Sequence, residues 1–223
     1  MSNQDSSNTT KKSTVYVALI TALAIIVGSV ILGLGGQTTT PEATPEAAPA
    51  VDLPNAGITE SNKATISFTT NQGEIVIETT PSLAPLTVNA IAALAQKNYF
   101  DKTICHRLTT EGIYVLQCGD PTGTGTGGPG FNIPDENLPE AVENNYPAGT
   151  VAMANAGPGT SGSQFFLVYQ DTTLPNAAYT IWGSITSGLD ILKTIASAGV
   201  VGGGADGAPV TGVTIESTKV TIS

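Results

Sequence analysis

The sequence predicts a mainly β domain with two helices, carried behind one membrane-spanning helix. Three observations predict it. Short β-branched runs separated by Gly, Pro, Asn and Asp recur from residue 64 to residue 221, only two stretches have helical spacing, and Val15–Leu34 runs for 20 residues without a charge. Many short strands with few helices argue for a closed or nearly closed β architecture.

The first 14 residues are polar and end near Lys11 and Lys12. The apolar run that follows makes a helix of about 30 Å, the hydrocarbon thickness of a bilayer. A cleaved secretory signal has a shorter apolar core and a small-residue cleavage site, and "GGQTTT" is a poor match to one. Residues 15–36 are therefore read as an uncleaved signal anchor. The lysines on its N-terminal flank place residues 1–14 in the cytoplasm and the rest of the chain outside. Residues 37–61, rich in Pro, Thr, Ala and Glu, read as a disordered tether, because such a stretch buries too little apolar surface to order itself. Residues 62–223 are the folded domain.

Within it, "ATISFTT" and "GEIVIET" flank Asn71-Gln72-Gly73 and read as a hairpin. Pro85 suits a first helical turn, and Val88, Ile91, Ala92 and Ala95 follow at helical spacing. Strand-like runs lie near 103–108, 113–118, 149–153, 164–169 and 179–185, a short helix at 188–198, and a last strand near 210–221. The stretch Gly119–Gly130 reads as a flexible turn, since "GTGTGG" lacks the Lys and helix of a phosphate cradle.

Charge and composition exclude several classes. With 8 Lys and Arg against 18 Asp and Glu, the net charge of −10 provides no cation cluster for nucleic acid. One His and two separated Cys provide no ligand-spaced metal cluster, and no cofactor is expected. Ser163 sits in "SGSQF", which is no nucleophile elbow. What stands out is a polar minority inside apolar strands: Arg107 in "ICHRL", Gln164 in "SQFFLV", and Asn155 where "VAMANAGPG" breaks into a loop.

The segments "FDKTICHRL", "GIYVLQCGDPTGTGTGGPGF", "DENL", "GTVAMANAGPGTSGSQFFLVY" and "YTIWGSI" resemble the cyclophilin family in order and spacing, over residues 62–223. The longer interval between His106-Arg107 and Gln117 is similar to that of cyclophilins from Gram-positive bacteria, especially actinobacteria. The resemblance implies a closed eight-stranded antiparallel β-barrel capped by two α-helices, with the active groove on its outer face. It implies peptidyl-prolyl cis-trans isomerase activity on Pro-containing segments of unfolded or flexible proteins, and a monomer is expected. Arg107 matches the family's catalytic arginine. His106, Tyr114, Val115, Gln117, Ala154, Asn155, Gln164, Phe166, Leu174 and Tyr179 match substrate-binding positions, and Trp182 matches a core aromatic. Leu174 stands where many members carry Trp, which implies weak binding of cyclosporin-type inhibitors. Cys105 and Cys118 fall on strands that family geometry makes adjacent. A disulfide and two buried free thiols both remain open, and strand register decides between them.

Overall fold

The computed structural model describes residues 52–223. The signal anchor at 15–36, the segment before it and the first part of the tether lie outside them. Among the described residues no helix is long and apolar enough to cross a membrane.

The chain forms strands β1 (Ala64–Thr70) and β2 (Gly73–Thr79), helix α1 (Pro85–Gln96), then β3 (Thr103–Ile104), β4 (Arg107–Thr109), β5 (Val115–Cys118), β6 (Thr150–Met153), β7 (Phe165–Val168) and β8 (Ile181–Ser187). Helix α2 (Leu189–Ser197), β9 (Asp206–Gly207) and β10 (Thr214–Ile222) complete it. All pair antiparallel in one sheet of order β3-β10-β1-β2-β8-β6-β7-β5-β4-β9.

Two expectations are corrected here. The sheet has ten strands among the described residues, not eight, and its hydrogen-bond ladder is not closed. The reason lies at Cys105-His106. The run read as one strand over 103–108 splits: Ile104 pairs with Thr214 of β10, at one end of the sheet, while Arg107 pairs with Gln117 of β5, near the other. Three peptide spans join Ile104 to Arg107 and reach at most about 11 Å. The sheet therefore curls until its two ends nearly meet, and the chain crosses the seam where ladder bonds would close a barrel.

A disulfide sits at this seam, joining Cys105 to Cys118 across a sequence separation of 13. Continuous pairing from Arg107↔Gln117 would set His106, not Cys105, opposite Cys118. The strand break changes that, because the Cys105 N–H turns away to donate to the Val213 carbonyl at 2.9 Å. Cross-linking so short a loop limits the unfolded chain by about 3 kcal/mol.

Strand alternation divides the apolar residues into two sets. Leu108, Leu116, Phe165, Leu167 and Trp182 point inward and meet Phe68 and Phe100. Phe165 stacks on Phe68 with ring centroids 5.3 Å apart and meets Trp182 edge-on at 5.9 Å. Val115, Ala152, Phe166 and Val168 point to the opposite face and form a second cluster with Tyr146. That second cluster floors the functional site.

Helix α1 is buried nearly all round. Its N-cap residue, Ala84, has no side chain able to cap it. Glu136 does so from a distant loop, its carboxylate accepting from Leu86 N at 3.1 Å, Thr87 N at 2.8 Å and Thr87 Oγ1 at 2.7 Å. The end of the tether also packs on this helix: Ile58 is buried, and its N–H and carbonyl pair with the Asn89 side chain at 2.9 and 2.8 Å. Residues just before 62 thus pack against the domain as well.

Candidate functional site

Register builds the site. Arg107 on β4 pairs with Gln117 on β5, Gln117 with Phe166 on β7, and Phe166 with Ala152 on β6. Neighbouring strands lie about 4.8 Å apart, so a cation, an amide, an aromatic ring and a methyl stand in one row on the outer face.

A hydrogen-bond chain runs along that row. The Asp206 carboxylate accepts from Arg107 Nε at 2.8 Å and Nη2 at 2.7 Å, a bidentate pair. Arg107 Nη1 donates to Gln117 Oε1 at 3.2 Å, and Gln117 Nε2 to Gln164 Oε1 at 2.8 Å. Gln164 Nε2 in turn donates to the carbonyls of Gly125 and Gly127 at 3.0 and 2.9 Å. The Asp206 hydrogen bond raises the Arg107 pKa further, and Arg107 lowers that of Asp206, so both stay charged.

The Gly-rich stretch that ends this chain is not the flexible turn expected from its composition. Asp120 is fully buried beneath it. Its carboxylate accepts from Thr122 N at 2.7 Å, Thr122 Oγ1 at 2.8 Å, Gly125 N at 2.6 Å and Gly127 N at 3.1 Å. Burial pushes the Asp120 pKa up, but these hydrogen bonds together outweigh it and hold the carboxyl at about 2. A Cβ at Gly127 would fall 2.0 Å from Asp120 Oδ1, so only glycine brings its N–H so near.

A cavity of about 180 Å³ opens beside Arg107. Of the residues singled out in the sequence, Arg107, Val115, Gln117, Ala154, Asn155, Phe166, Leu174 and Tyr179 line it together. Phe166 meets Tyr179 edge-on at 5.5 Å. Gln164 lies in the adjoining cleft of about 830 Å³, which runs under the Gly-rich loop and shares Gln117, Ala154 and Asn155 with the small cavity. The Asn155 side chain is engaged internally, Nδ2 donating to the Ala178 carbonyl at 2.7 Å and Oδ1 accepting from Gly157 N at 3.2 Å. Its own peptide N–H and carbonyl make no hydrogen bond among the described residues.

A family model described as "Cyclophilin type peptidyl-prolyl cis-trans isomerase/CLD" matches residues 65–220, the span from β1 to β10. This chain belongs to the cyclophilin family. It is 46% identical over 197 residues to the probable peptidyl-prolyl cis-trans isomerase B of Mycobacterium tuberculosis, covering 82% of this chain and 64% of that protein. It is 44% identical over 200 residues to the protein of the same name from Mycobacterium leprae, covering 84% and 68%. The chain thus spans about two thirds of the length of these relatives. A Cryptosporidium parvum cyclophilin, its crystal structure determined in the presence of the dipeptide Ala-Pro, superposes with TM-score 0.60 at 30% identity, covering 70% of this chain and 98% of that one.

Two residues matched to the family lie elsewhere. Tyr114 has the parity of inward-facing Leu116. It meets Tyr169 edge-on at 6.0 Å and lines a separate cavity near α2, while Ile113 takes a place in the small one. The His106 ring lies under the Gly-rich loop, 3.6 Å from where a Gly125 Cβ would stand. Burial lowers its pKa, with Asp120 opposing and Arg107 assisting, which keeps it neutral.

Sequence reasoning did not select Asp206, Asp120, Ile113 or Tyr146. Tyr146 is fully buried, its hydroxyl donating to the Tyr179 carbonyl and accepting from Tyr179 N, both at 3.0 Å, and so it fixes one wall of the cavity. Ser163 Oγ donates to the Gly119 carbonyl at 2.7 Å and meets Tyr99 Oη at 3.3 Å, so it is not paired with His106. Among the described residues no group of three His, Cys, Asp or Glu is placed to hold a metal ion.

Proposed function

We propose that this chain is a peptidyl-prolyl cis-trans isomerase that accelerates X-Pro rotation in extracytoplasmic proteins by non-covalent transition-state stabilisation. The observation that carries the reading is the Arg107 guanidinium, held on two sides at the wall of a small apolar cavity. Rotation of a prolyl amide faces a barrier of about 18–20 kcal/mol, because it breaks the resonance that keeps the nitrogen planar. In the twisted state the nitrogen becomes pyramidal and gains a lone pair. A guanidinium N–H aimed at that lone pair favours the twisted state over the planar one, which is what lowers the barrier.

The other residues hold the ring and the chain on either side of it. Val115, Phe166, Leu174 and Tyr179 enclose the pyrrolidine. The peptide groups of Asn155 and the amides of Gln117 and Gln164 hold the flanking backbone, so that binding becomes orientation. No nucleophile, acid–base pair or metal enters this path. The test is protease-coupled isomerisation of an Ala-Pro peptide by residues 52–223. A rate no faster than the uncatalysed one leaves a module that binds Pro-containing peptides without turning them over.

The extracytoplasmic placement draws support from the charge-free run at 15–34 and from the Cys105–Cys118 bridge, since disulfides persist in oxidising compartments. The full-length chain is expected to sediment with membranes, and protease added outside intact cells is expected to release the domain. Native chain found free in the medium, beginning near Gln37, counts against the anchor.

Cyclosporin-type inhibitors are expected to bind weakly. Leu174 offers apolar area without the N–H donor that an indole adds. Leu174→Trp is expected to tighten binding by about tenfold, the worth of one hydrogen bond. Unchanged affinity in a calorimetric titration removes Leu174 as the cause.

A further inference from the structure

We propose that Asp206 is a positioning residue for Arg107, an assignment that rests on the catalytic reading of Arg107. Arginine has a long side chain, and Arg107 projects from the outer face of β4 with its side chain 38% exposed. Left alone, such a side chain samples many rotamers. Asp206 removes that freedom through two parallel hydrogen bonds of 2.8 and 2.7 Å, while Gln117 holds Nη1 from the opposite neighbour strand. Three of the guanidinium's five N–H donors are thereby occupied, which leaves two for a substrate.

The backbone around Asp206 is organised for this contact. β9 is only two residues long, and it pairs with the strand that carries the arginine, with Gly207 opposite Leu108 and Asp206 opposite Thr109. The Thr110 N–H donates to the Ala205 carbonyl at 2.8 Å and anchors the approach. Asp206 thus lies on the strand next to Arg107, two positions off in register and so on the same face, within bidentate reach.

Two effects of the carboxylate oppose one another. It draws positive potential away from the guanidinium, which weakens attraction to a developing lone pair. For a pair this exposed the electrostatic loss is screened to no more than about fivefold. Misplacing a reacting group by about 1 Å costs on the order of 10²-fold. Orientation is therefore the larger effect, and the net action of Asp206 is to raise the rate.

The experiment compares Asp206→Ala, Asp206→Asn and Arg107→Ala, alone and combined, in the full chain with an Ala-Pro peptide substrate. Asp206→Ala is expected to lower kcat about tenfold while KM stays within about twofold, since ring and backbone contacts are intact. Asp206→Asn keeps one acceptor and is expected to fall between. Adding Asp206→Ala to Arg107→Ala is expected to change nothing further, because the residue acts only through the arginine. Unchanged or raised activity of Asp206→Ala overturns the assignment, as does a loss confined to KM, or an equal loss with and without Arg107. Wild-type activity in Arg107→Ala alone overturns the underlying reading instead, which separates the two failures.

Discussion

Arg107→Ala is expected to lower kcat/KM by on the order of 10²–10³, the scale of removing one aimed electrostatic donor. The loss should lie mostly in kcat. The cavity beside Arg107 is walled chiefly by Val115, Phe166, Leu174 and Tyr179, and these hold the proline ring in the planar and twisted states alike. The fold should survive, because Arg107 leaves from a partly exposed outer face and opens no void in the Phe68–Phe165–Trp182 core. Water can then solvate Asp206 and Gln117. Arg107→Lys should recover little of the activity: an ammonium carries the charge, but it has no fork to engage Asp206 and Gln117 together. Activity against an Ala-Pro peptide, with a melting curve for each variant, checks this. A well-folded Arg107→Ala with wild-type kcat/KM excludes the proposed mechanism.

Much of this site was legible because strands advertise exceptions. Arg107, Gln117 and Gln164 are polar in apolar runs, and the "GSQFF" block sets an inward phenylalanine beside an outward one. The same alternation, counted back from Gln117, puts Val115 and Ile113 on the groove face and Tyr114 inside; matching Tyr114 to a family aromatic overrode that count. Asp206 was not legible. It lies in "GGGADGAP", a segment without periodicity, and its partner is 99 residues away. The strand number was misread for a related reason. Residues 103–108 look continuous, and the break appears only when a curling sheet must bring its ends together at Cys105-His106. That break also decided the cysteines, since unbroken register would have set His106 opposite Cys118.

The Gly-rich loop was misjudged on composition, and it carries the second large expected effect. Asp120→Ala removes a fully buried carboxylate that satisfies three backbone N–H groups and one hydroxyl. Leaving those donors without their acceptor, over the space of a lost side chain, is expected to cost about 3–5 kcal/mol. For a domain of this size that lowers Tm by roughly 10 °C or more. Activity should fall as well, even far below Tm, because the loop carbonyls that orient Gln164, and through it Gln117 and Arg107, are no longer fixed. The pH dependence has a definite sign. The folded carboxyl titrates at about 2 against an ordinary 3.8, so its contribution is present in full above about pH 4 and is lost as pH falls from 4 towards 2. At neutral pH that contribution is on the order of 2 kcal/mol. Asp120→Asn retains the shape and one acceptor oxygen but cannot titrate, so its stability should lie below wild type at pH 7 and converge with it near pH 2. Urea melts of both proteins between pH 7 and pH 2 measure the gap directly. A gap that stays constant across that range would mean that the loop is held by packing, with the charge on Asp120 contributing nothing.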